Sequence, residues 1–430
     1  MPNALSRRHF LQAGAAALCA GPLLAGEKKL SPNERLHVAV IGVNGQGDYD
    51  MKNVANAGAE IVALCDVDEN RAVEARKRYP RARYYTDFRR VFDQKDLDAV
   101  VVATPDHMHA LATLPALRAG LHVYCEKPLA HTVAEARLVA ETAAKHQRVT
   151  QMGTQIHADG NYRRVVELVQ SGTIGPVSAV HVWCGKSYGY GDHPKDTPPV
   201  PKGLHYDLWL GCAPYRPYHP VHLHFNWRSW WDYGGGTLND MACHYVDLPF
   251  WALKLRHPVS VAAEGAKLHP ESVAKWLIVH YQFPEREGLA PVKLTWYDGG
   301  KQPDVLPGKF REKWGSGVLF VGDKGMLLAD YGRHQLLPEK QFEGFKPPRP
   351  FIPDSVGHHK EWVEACKNGG KTTCNFSYAG ALSEAVLLGT VSYRLGRPLN
   401  WDAGELKAVN EPEAERFLHK EYRKPWSLEA

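Results

Sequence analysis

The chain has 430 residues, of which 44% are hydrophobic and 23% charged, with a formal net charge of +5. This is an ordinary globular composition, and the length allows two or three domains. No block of Lys and Arg follows the first 35 residues, which excludes nucleic acid as an expected partner. After the N-terminal segment no apolar run approaches about 18 residues, so no further membrane span is expected.

The N-terminal segment carries an arginine pair, Arg7 and Arg8, followed by an apolar, Ala-rich stretch, Leu11–Ala25. The stretch is too short to span a bilayer comfortably. The pattern resembles a twin-arginine signal, whose pathway exports folded proteins. Residues 1–30 are therefore predicted to be a signal and its flank, and the protein is predicted to be periplasmic, with no membrane contact beyond this segment.

Seven of the eight cysteines follow the signal segment, and none of them forms a Cys-x-x-Cys pair. Cys65 and Cys125 end apolar, strand-like runs. The pattern predicts buried thiols and no disulfide framework, despite the oxidising compartment that export implies.

Short apolar runs alternate with helical patterns from Leu36 to about Gln151. This alternation predicts a parallel sheet covered by helices, so residues 31–154 are assigned to a Rossmann dinucleotide-binding domain in an α/β protein. The predicted strands are Leu36–Ile41, Glu60–Cys65, Ala99–Ala103, His122–Tyr124 and Val149–Met152. The predicted helices are roughly Gly47–Ala57, Glu69–Tyr79 and His107–Ala119.

The first predicted strand runs into a glycine-rich turn with the spacing G-x-x-G-x-G. Glycines let the backbone approach a pyrophosphate, and the start of the following helix offers free N–H groups and a favourable dipole. The cofactor-binding residues predicted here are Gly42, Asn44, Gly45, Gln46 and Gly47. The usual spacing is G-x-G-x-x-G, so a tight turn without a nucleotide is the alternative.

Asp66 ends the second predicted strand, 24 residues after Gly42. A carboxylate there accepts hydrogen bonds from ribose hydroxyls and repels a 2′-phosphate, so NAD is favoured over NADP. Arg71 keeps NADP open, because its side chain is placed to reach a phosphate. The alternative role for Asp66 is to cap a helix before Glu69.

Two further motifs follow the third and fourth predicted strands, where open α/β sheets bind ligands. They are Thr-Pro-x-x-x-His, from Thr104 to His109, and Glu-Lys-Pro, from Glu126 to Pro128. With the glycine loop, these motifs resemble the Gfo/Idh/MocA oxidoreductases. The resemblance covers almost the whole chain after the signal.

The resemblance implies that Lys127 lies near the nicotinamide and the substrate, before an X-Pro bond that is often cis in the family. A lysine beside the positive nicotinamide is expected to have a lowered pKa and to move a proton from a hydroxyl that loses hydride. A surface lysine before a proline turn is the alternative. The cofactor residues predicted in this part are Thr104, Pro105, His107, His109, Glu126, Lys127 and Gln155.

After about Thr154 the pattern changes to runs of strands. Residues 155–430 are predicted to form an α+β domain with a large open, mainly antiparallel sheet that serves substrate binding and oligomerisation. C-terminal helices are predicted to pack back on the first domain. The predicted strands are Val177–Cys184, Val259–Ala263, Ala274–Phe283, Pro291–Trp296, Gly317–Val321 and Gly325–Ala329. The predicted helices are Asn161–Gln170, Leu238–Leu253, His358–Cys366 and Ser377–Tyr393.

The predicted helix after a triple glycine carries Asp240 and His244, which are four residues apart and therefore share one face. The resemblance implies that this D-x-x-x-H pattern is the acid/base pair, with His244 taking the hydroxyl proton and Asp240 orienting the substrate or the histidine. Taken without the resemblance, Asp240 is more simply a helix N-cap and His244 a core histidine.

An aromatic-rich segment, Phe225–Tyr233, lies just upstream and includes Arg228 and Trp231. Flat aromatic faces with polar rims suit sugar rings, although core packing of tryptophan is an equal alternative. The predicted substrate residues are Arg228, Trp231, Asp240 and His244. Histidines at 222 and 224 allow a metal site on a strand, but no paired Cys ligands accompany them, and no metal is predicted.

These features predict an NAD-dependent oxidoreductase that transfers hydride at a carbinol carbon of a sugar, polyol or glycoside. Because free NAD is scarce outside the cytoplasm, export favours a cofactor that is bound beforehand and retained. The alternatives are a redox-assisted glycoside hydrolase and a non-catalytic carbohydrate-binding or sensor protein. The resemblance also implies a homodimer or homotetramer.

Overall fold

The computed structural model describes residues 35–409 and 411–429. The predicted twin-arginine signal lies outside the described residues. Within them, no helix combines the length and the apolar character needed to cross a bilayer.

Six of the described strands form a parallel sheet in the order β3-β2-β1-β4-β5-β6. The strand order reverses between β1 and β4, which creates a crevice at their carboxyl ends. The bounds are β1 His37–Ile41, β2 Glu60–Cys65, β3 Arg83–Tyr85, β4 Ala99–Val102, β5 His122–Cys125 and β6 Thr150–Met152. The five predicted strands are confirmed to within one residue at each end; β3, with only three residues and a polar start, was not predicted.

Four helices cover this sheet: α1 Gln46–Asn56, α2 Val73–Arg78, α3 Asp106–Arg118 and α4 Val133–His146. The sequence analysis missed α4, although its start carries a capping box in which Thr132 and Glu135 bind each other's backbone N–H groups. It also began α2 too early, because the chain after Asp66 first forms a turn beside the crevice.

Nine described strands form a second, mixed sheet in the order β13-β12-β11-β7-β10-β9-β8-β14-β15. All neighbouring pairs are antiparallel except β7 and β10, so the predicted, mainly antiparallel open sheet is confirmed. The bounds are β7 Val177–Cys184, β8 Ser260–Gly265, β9 Leu277–Phe283, β10 Val292–Tyr297, β11 Ser316–Gly322, β12 Gly325–Ala329, β13 His334–Leu337, β14 Leu399–Asp402 and β15 Lys407–Val409.

Most of the helices pack on one face of this sheet or at its junction with the first domain, and the short helix α9 packs with Trp183 and Leu319 on the other face. Their bounds are α5 Gly160–Gln170, α6 Tyr206–Leu210, α7 Gly236–Tyr245, α8 Asp247–Ala252, α9 Gly308–Arg311, α10 His358–Asn368, α11 Phe376–Leu395 and α12 Glu415–Leu418. The single helix predicted over residues 238–253 is wrong, because it is divided into α7 and α8. Pro249 lies in the first turn of α8, where its missing N–H is tolerated, and it would interrupt a continuous helix.

The two C-terminal helices α10 and α11 return to the first domain. Helix α10 packs against α1, and α11 packs against α4. Trp362 and Val363 of α10 lie in the same buried cluster as Val38 and Val40 of β1. The first domain therefore completes its core with residues from the far end of the chain.

All seven cysteines of the described residues are free and buried, which confirms the prediction of buried thiols. Burial raises the pKa of Cys65 and Cys125, so both are protonated at neutral pH.

Candidate active site

A cleft of about 960 Å³ opens at the carboxyl ends of the parallel strands and extends to α7 of the second domain. The glycine loop and the end of β2 line one part of it. The ends of β4 and β5, the loop after β7 and the inner face of α7 line the other. The sequence-predicted residues that line it are Gly42, Asn44, Gly45, Gln46, Asp66, Arg71, Thr104, Pro105, His109, Glu126, Lys127, Gln155, Arg228, Asp240 and His244.

The glycine loop is tightly packed on one side and open on the other. A Cβ atom at Gly42 would lie 2.5 Å from the Ala103 carbonyl oxygen, and one at Gly47 would lie 1.8 Å from the Gly42 carbonyl oxygen. Gly45 has a φ of +59° and no atom within 4 Å of a Cβ position, and it borders the cleft directly before α1. The loop thus leaves space for a phosphate group at the start of a helix.

Gly47 differs from its predicted role, because it lies beneath the loop and does not line the cleft. Asn44 also acts within the loop: its Nδ2 donates to the Arg71 carbonyl oxygen at 3.1 Å, and the Arg71 guanidinium donates to its side-chain oxygen. Asn44 and Arg71 therefore hold the glycine loop to the segment after β2.

Asp66 lies at the end of β2 with its carboxylate beside the loop. Its Oδ2 accepts from the Val43 N–H at 3.0 Å, and its Oδ1 accepts from the Asp68 N–H at 3.0 Å. Burial raises its pKa, and the two backbone bonds only partly oppose this. Because α2 begins at Val73, Asp66 does not cap that helix, and its place at the cleft fits a carboxylate that meets a ribose.

A buried group of carboxyl and amide side chains supports the floor of the cleft. Glu126 Oε1 accepts from Gln155 Nε2 at 2.8 Å and from Gln46 Nε2 at 3.3 Å. Gln46 also donates to Asp50, which is paired with His359 at 2.9 Å. Burial, reinforced by the charge of Asp50, raises the pKa of Glu126 to about 8, and burial raises the pKa of Asp50 to about 7.

The free energy of unfolding is expected to decrease less with rising pH when Glu126 is replaced by glutamine. Because the folded-state pKa of Glu126 is raised, its contribution is fully present below about pH 4.5 and is lost as the pH rises through about 8. Glu126→Gln removes this titration and keeps an acceptor for Gln155. Thermal unfolding at pH 5, 7 and 9 measures the slope. The exposed variant Glu74→Gln is the control, and equal slopes in Glu126→Gln and the wild type would contradict the expectation.

The chemical centre of the cleft is an ion pair between Lys127 and Asp240. The Lys127 Nζ lies 2.6 Å from Asp240 Oδ1, which also accepts from Arg228 Nε at 3.0 Å. The Tyr188 hydroxyl donates to the other carboxylate oxygen at 2.9 Å. Burial alone would raise the pKa of Asp240, but the two cations hold it far below its usual range.

The pKa of Lys127 is shifted in the direction opposite to the expected one. Burial alone would lower its pKa, but the negative charge of Asp240 outweighs burial and raises the pKa above the ordinary value. The lowered pKa was expected beside a nicotinamide, and with protein neighbours alone the shift has the opposite direction. Lys127 is a buried cation at neutral pH, and its peptide bond to Pro128 is cis.

His244 follows Asp240 by one helical turn and makes no hydrogen bond to it. Among the described residues, the Asp240 carboxylate bonds to Lys127, Arg228 and Tyr188, so Asp240 does not orient this histidine through a hydrogen bond. Burial and the positive charge of Lys127 lower the pKa of His244 to about 3. The imidazole is thus neutral at pH 7 and borders the cleft, as a proton acceptor requires.

The helix-cap alternative for Asp240 is also resolved. Helix α7 begins at Gly236, with Gly235 before it, so Asp240 lies in the second turn. Its carboxylate faces the cleft and does not cap the helix.

Two predicted site residues lie away from the cleft. His107 is fully buried, and its Nε2 bonds to the Trp209 carbonyl oxygen at 3.1 Å. Trp231 donates from Nε1 to the His269 carbonyl oxygen at 3.1 Å and borders a different cavity. The prediction of His107 rested on its place within the Thr-Pro-x-x-x-His motif, and that of Trp231 rested on the aromatic-rich segment.

His109 borders the cleft, and both of its ring nitrogens face backbone carbonyl oxygens: Nδ1 lies 2.7 Å from that of Pro128, and Nε2 lies 2.9 Å from that of Thr104. Burial lowers the pKa of His109 to about 4, so the neutral ring carries one N–H and donates to one of the two oxygens. The ring therefore joins the ends of β4 and β5, and it positions Lys127 through the next residue. The Thr104 hydroxyl is buried and has no partner among the described residues.

The cleft residues that the sequence analysis missed include three polar side chains. Tyr188 and Lys186 lie on the loop after β7, which carries no motif, and the Lys186 Nζ lies 3.4 Å from the Met241 sulfur. Asp106 is the first residue of α3 and is only 2% exposed. Burial raises its pKa to about 8 despite the nearby charges of Lys127 and Arg228. Its position inside the Thr-Pro-x-x-x-His motif was the available signal.

The two histidines considered as metal ligands have separate partners. His222 bonds to His193 at 2.9 Å, and His224 Nε2 lies 3.2 Å from an Asp68 oxygen. Among the described residues, metal-ligand spacing occurs at one buried cluster formed by His157, Asp247 and Cys374.

Family comparisons agree with this geometry. A family model described as an oxidoreductase family with an NAD-binding Rossmann fold matches residues 36–154. The family's C-terminal alpha/beta domain matches residues 159–290. The chain belongs to the Gfo/Idh/MocA oxidoreductase family. The first domain is its NAD-binding domain, and NAD is the cofactor that the glycine loop and Asp66 fit.

Curated members of the Gfo/Idh/MocA family match part of the chain. An inositol 2-dehydrogenase of Salmonella paratyphi B is 32% identical over 168 residues, or 38% of this chain and 49% of that protein. An inositol 2-dehydrogenase of Leifsonia xyli is 37% identical over 141 residues, or 31% and 41% of the two chains. This chain spans about half the length of the curated relatives it matches.

Solved structures of the family match over most of the chain. The WlbA dehydrogenase from Bordetella pertussis, in complex with NADH and UDP-GlcNAcA, has a TM-score of 0.62 and 18% identity, covering 86% of this chain and 99% of that chain. An aldose-aldose oxidoreductase from Caulobacter crescentus has a TM-score of 0.56 and 18% identity, covering 86% and 100%. At these identities the likeness confirms the fold alone.

Proposed function

We propose that the protein is an NAD-dependent dehydrogenase that oxidises a carbinol carbon of a sugar or polyol. The observation that carries the proposal is the Lys127–Asp240 pair, 2.6 Å apart, beside a neutral His244 in the same cleft as the glycine loop. Oxidation of an alcohol requires a base that accepts the hydroxyl proton and a cation that stabilises the charge on the oxygen, and this end of the cleft contains both.

Bound NAD supplies a hydride acceptor. The side chains of the cleft manage the proton and the position of the substrate. His244 accepts the hydroxyl proton, because its low pKa leaves the imidazole unprotonated at pH 7. Lys127 donates a hydrogen bond to the same oxygen and stabilises the negative charge that develops there. Asp240 holds Lys127 and Arg228 in place.

The division of roles follows from the two pKa shifts. Lys127 keeps its proton because Asp240 raises its pKa, so it is a poor base in this arrangement. His244 is uncharged at neutral pH, so one of its ring nitrogens can accept a proton, and no residue of the described chain occupies its Nδ1 by a hydrogen bond. His244 is therefore the base, and Lys127 is the electrostatic partner of the substrate oxygen.

The proposed substrate class is a ring-shaped sugar or polyol. Arg228 stacks on Phe225 and Trp227, with its guanidinium carbon 4.7 Å and 4.2 Å from the two ring centres. Phe225 is 58% exposed at the edge of the cleft, which gives the substrate end an apolar face beside polar groups. The names of the inositol dehydrogenase relatives support a polyol.

The proposal includes export of a preloaded enzyme. The arginine pair at Arg7 and Arg8 supports twin-arginine transport to the periplasm, and scarce external NAD supports a retained cofactor. The open nine-stranded sheet supports a homodimer or homotetramer.

The glycoside hydrolase alternative is not favoured, since the relatives described above are named dehydrogenases or oxidoreductases.

The proposal is tested by purifying the protein without added cofactor and measuring released nucleotide. Inositols, aldoses and alditols are then tried, with NAD or NADP in separate assays. We expect NADH formation with at least one of these substrates and a preference for NAD over NADP. Bound NAD that supports turnover with a second sugar, without added NAD, would support retention of the cofactor.

Two results would contradict these proposals. A protein that binds neither nucleotide and oxidises none of these substrates would contradict the dehydrogenase. A protein that is isolated empty and active only with added NAD would contradict retention and leave the dehydrogenase standing.

A further inference from the structure

A second cavity, of about 210 Å³, lies outside the cleft and borders the same helix α7. Gly235 and Asn239 line this cavity, whereas Asp240 and His244 line the cleft. The other walls come from α11, from α12 with the segment after it, from the turn before α4, and from residues 212–214 and 231–232. Neither the proposed reaction nor the NAD site uses this cavity.

Arg394, in the last turn of α11, extends into the cavity between two aromatic rings. Its guanidinium carbon lies 5.1 Å from the Trp231 ring centre and 4.6 Å from the Phe417 ring centre. Its three nitrogens offer five N–H donors, yet no acceptor among the described residues bonds to them. The rings and the helix C-terminus favour its positive charge but leave the donors unmatched.

Arg416, on α12, lies on the same aromatic residue, with its guanidinium carbon also 4.6 Å from the Phe417 ring centre. It too has no carboxylate partner within the described chain. Burial lowers the pKa of Arg394 to about 10; the charge of Asp232 opposes this shift, and the charge of Arg416 adds to it. Two like charges thus border one cavity without a shared counterion.

The carboxylates near the cavity are mostly committed to other cations. An Asp232 oxygen lies 3.5 Å from Arg216, and Glu135 is paired with Lys420 at 2.8 Å. Glu421 also borders the cavity and is exposed to solvent. The local excess of positive charge therefore belongs to Arg394 and Arg416.

We propose that this cavity binds a small anion whose phosphate or carboxylate group lies between the guanidinium groups of Arg394 and Arg416. A guanidinium group can donate two parallel hydrogen bonds to two oxygens of such an anion, and stacking on an aromatic ring fixes the orientation of the guanidinium group. The cavity is smaller than the roughly 300–1,000 Å³ of pockets for drug-sized ligands, so the ligand is small, such as phosphate or a dicarboxylate.

The test titrates inorganic phosphate and succinate separately into the protein by calorimetry at constant ionic strength. Both titrations are done with NAD present, so that the glycine loop is not an open phosphate site. The variants are Arg394→Met and Arg416→Met, and Arg81→Met, whose side chain is 87% exposed on the first domain, is the matched control. NAD binding in every variant checks that the chain is folded.

We expect saturable binding of at least one anion to the wild type and to Arg81→Met. Affinity is expected to fall at least about tenfold in Arg394→Met and in Arg416→Met, because each loses a charged donor group. Binding of phosphate alone or succinate alone identifies the group that is recognised. If Arg394→Met also loses NAD binding, the variant is misfolded, and the anion affinity of Arg416→Met, whose replaced side chain is exposed, then tests the proposal.

Either of two results overturns the proposal. The first is the absence of saturable binding of both anions to the wild type in the millimolar range. The second is unchanged affinity in a folded Arg416→Met or Arg394→Met variant.

Discussion

Replacing Lys127 with methionine is expected to lower turnover by about 10²–10⁴-fold while NAD stays bound. Methionine keeps most of the apolar stem and removes only the ammonium, which lies 2.6 Å from Asp240 at the substrate end of the cleft. Asp240 remains paired with Arg228 at 3.0 Å, so the buried carboxylate keeps a cation and the fold is preserved. Steady-state turnover and NAD titration measure the two effects separately.

Lys309→Met is the control for this experiment, because Lys309 is a surface residue paired with Glu339 on the second domain. It is expected to leave turnover and NAD binding unchanged. Unchanged turnover in Lys127→Met would remove Lys127 from the mechanism. Loss of NAD binding together with turnover would make its role structural.

The variant Gly47→Ala is expected to abolish NAD binding and to lower stability, although Gly47 does not touch the cleft. A Cβ atom there would lie 1.8 Å from the Gly42 carbonyl oxygen, a backbone atom that a side-chain rotation cannot relieve. The loop would have to shift, at a cost of about 1–3 kcal/mol or more. Thermal unfolding and NAD titration measure both effects.

Gly45→Ala is the matched variant, because a Cβ atom at Gly45 meets no atom within 4 Å. Its backbone, with φ +59° and ψ −119°, lies in a sparsely populated region that costs an alanine roughly 1–3 kcal/mol, and the methyl group would enter the space left for a phosphate. We expect weaker NAD binding with a smaller loss of stability than in Gly47→Ala. Wild-type NAD affinity in both variants would show that the loop does not hold the cofactor.

Hydrophobic patterning was sufficient for most of the fold. Buried strands such as Glu60–Cys65 and Val177–Cys184 are apolar runs with clear ends, and they were predicted residue for residue. The missed strands β3, β13, β14 and β15 have three or four residues each and are partly exposed, so no apolar run marks them. Their strand conformation comes from pairing with neighbours that lie far away in sequence.

The site residues that belong to a sequence motif were predicted. The residues that only the tertiary structure brings to the site were missed. Asp240 and Lys127 are 113 positions apart, and their ion pair needs both domains in place. The pKa of Lys127 depends on that pair, so no sequence pattern could give its direction. Tyr188 lies in a loop without a motif, and only the fold brings its hydroxyl to Asp240.

The return of α10 to the first domain also affects the order in which the protein can mature. Trp362 and Val363 complete the buried cluster around Val38 and Val40, although more than 300 residues of chain separate the two groups. When the six strands of the nucleotide-binding sheet have been synthesised, part of the apolar surface of this domain is therefore still uncovered in the nascent chain. The nucleotide-binding domain therefore completes this part of its core only after α10 has been synthesised.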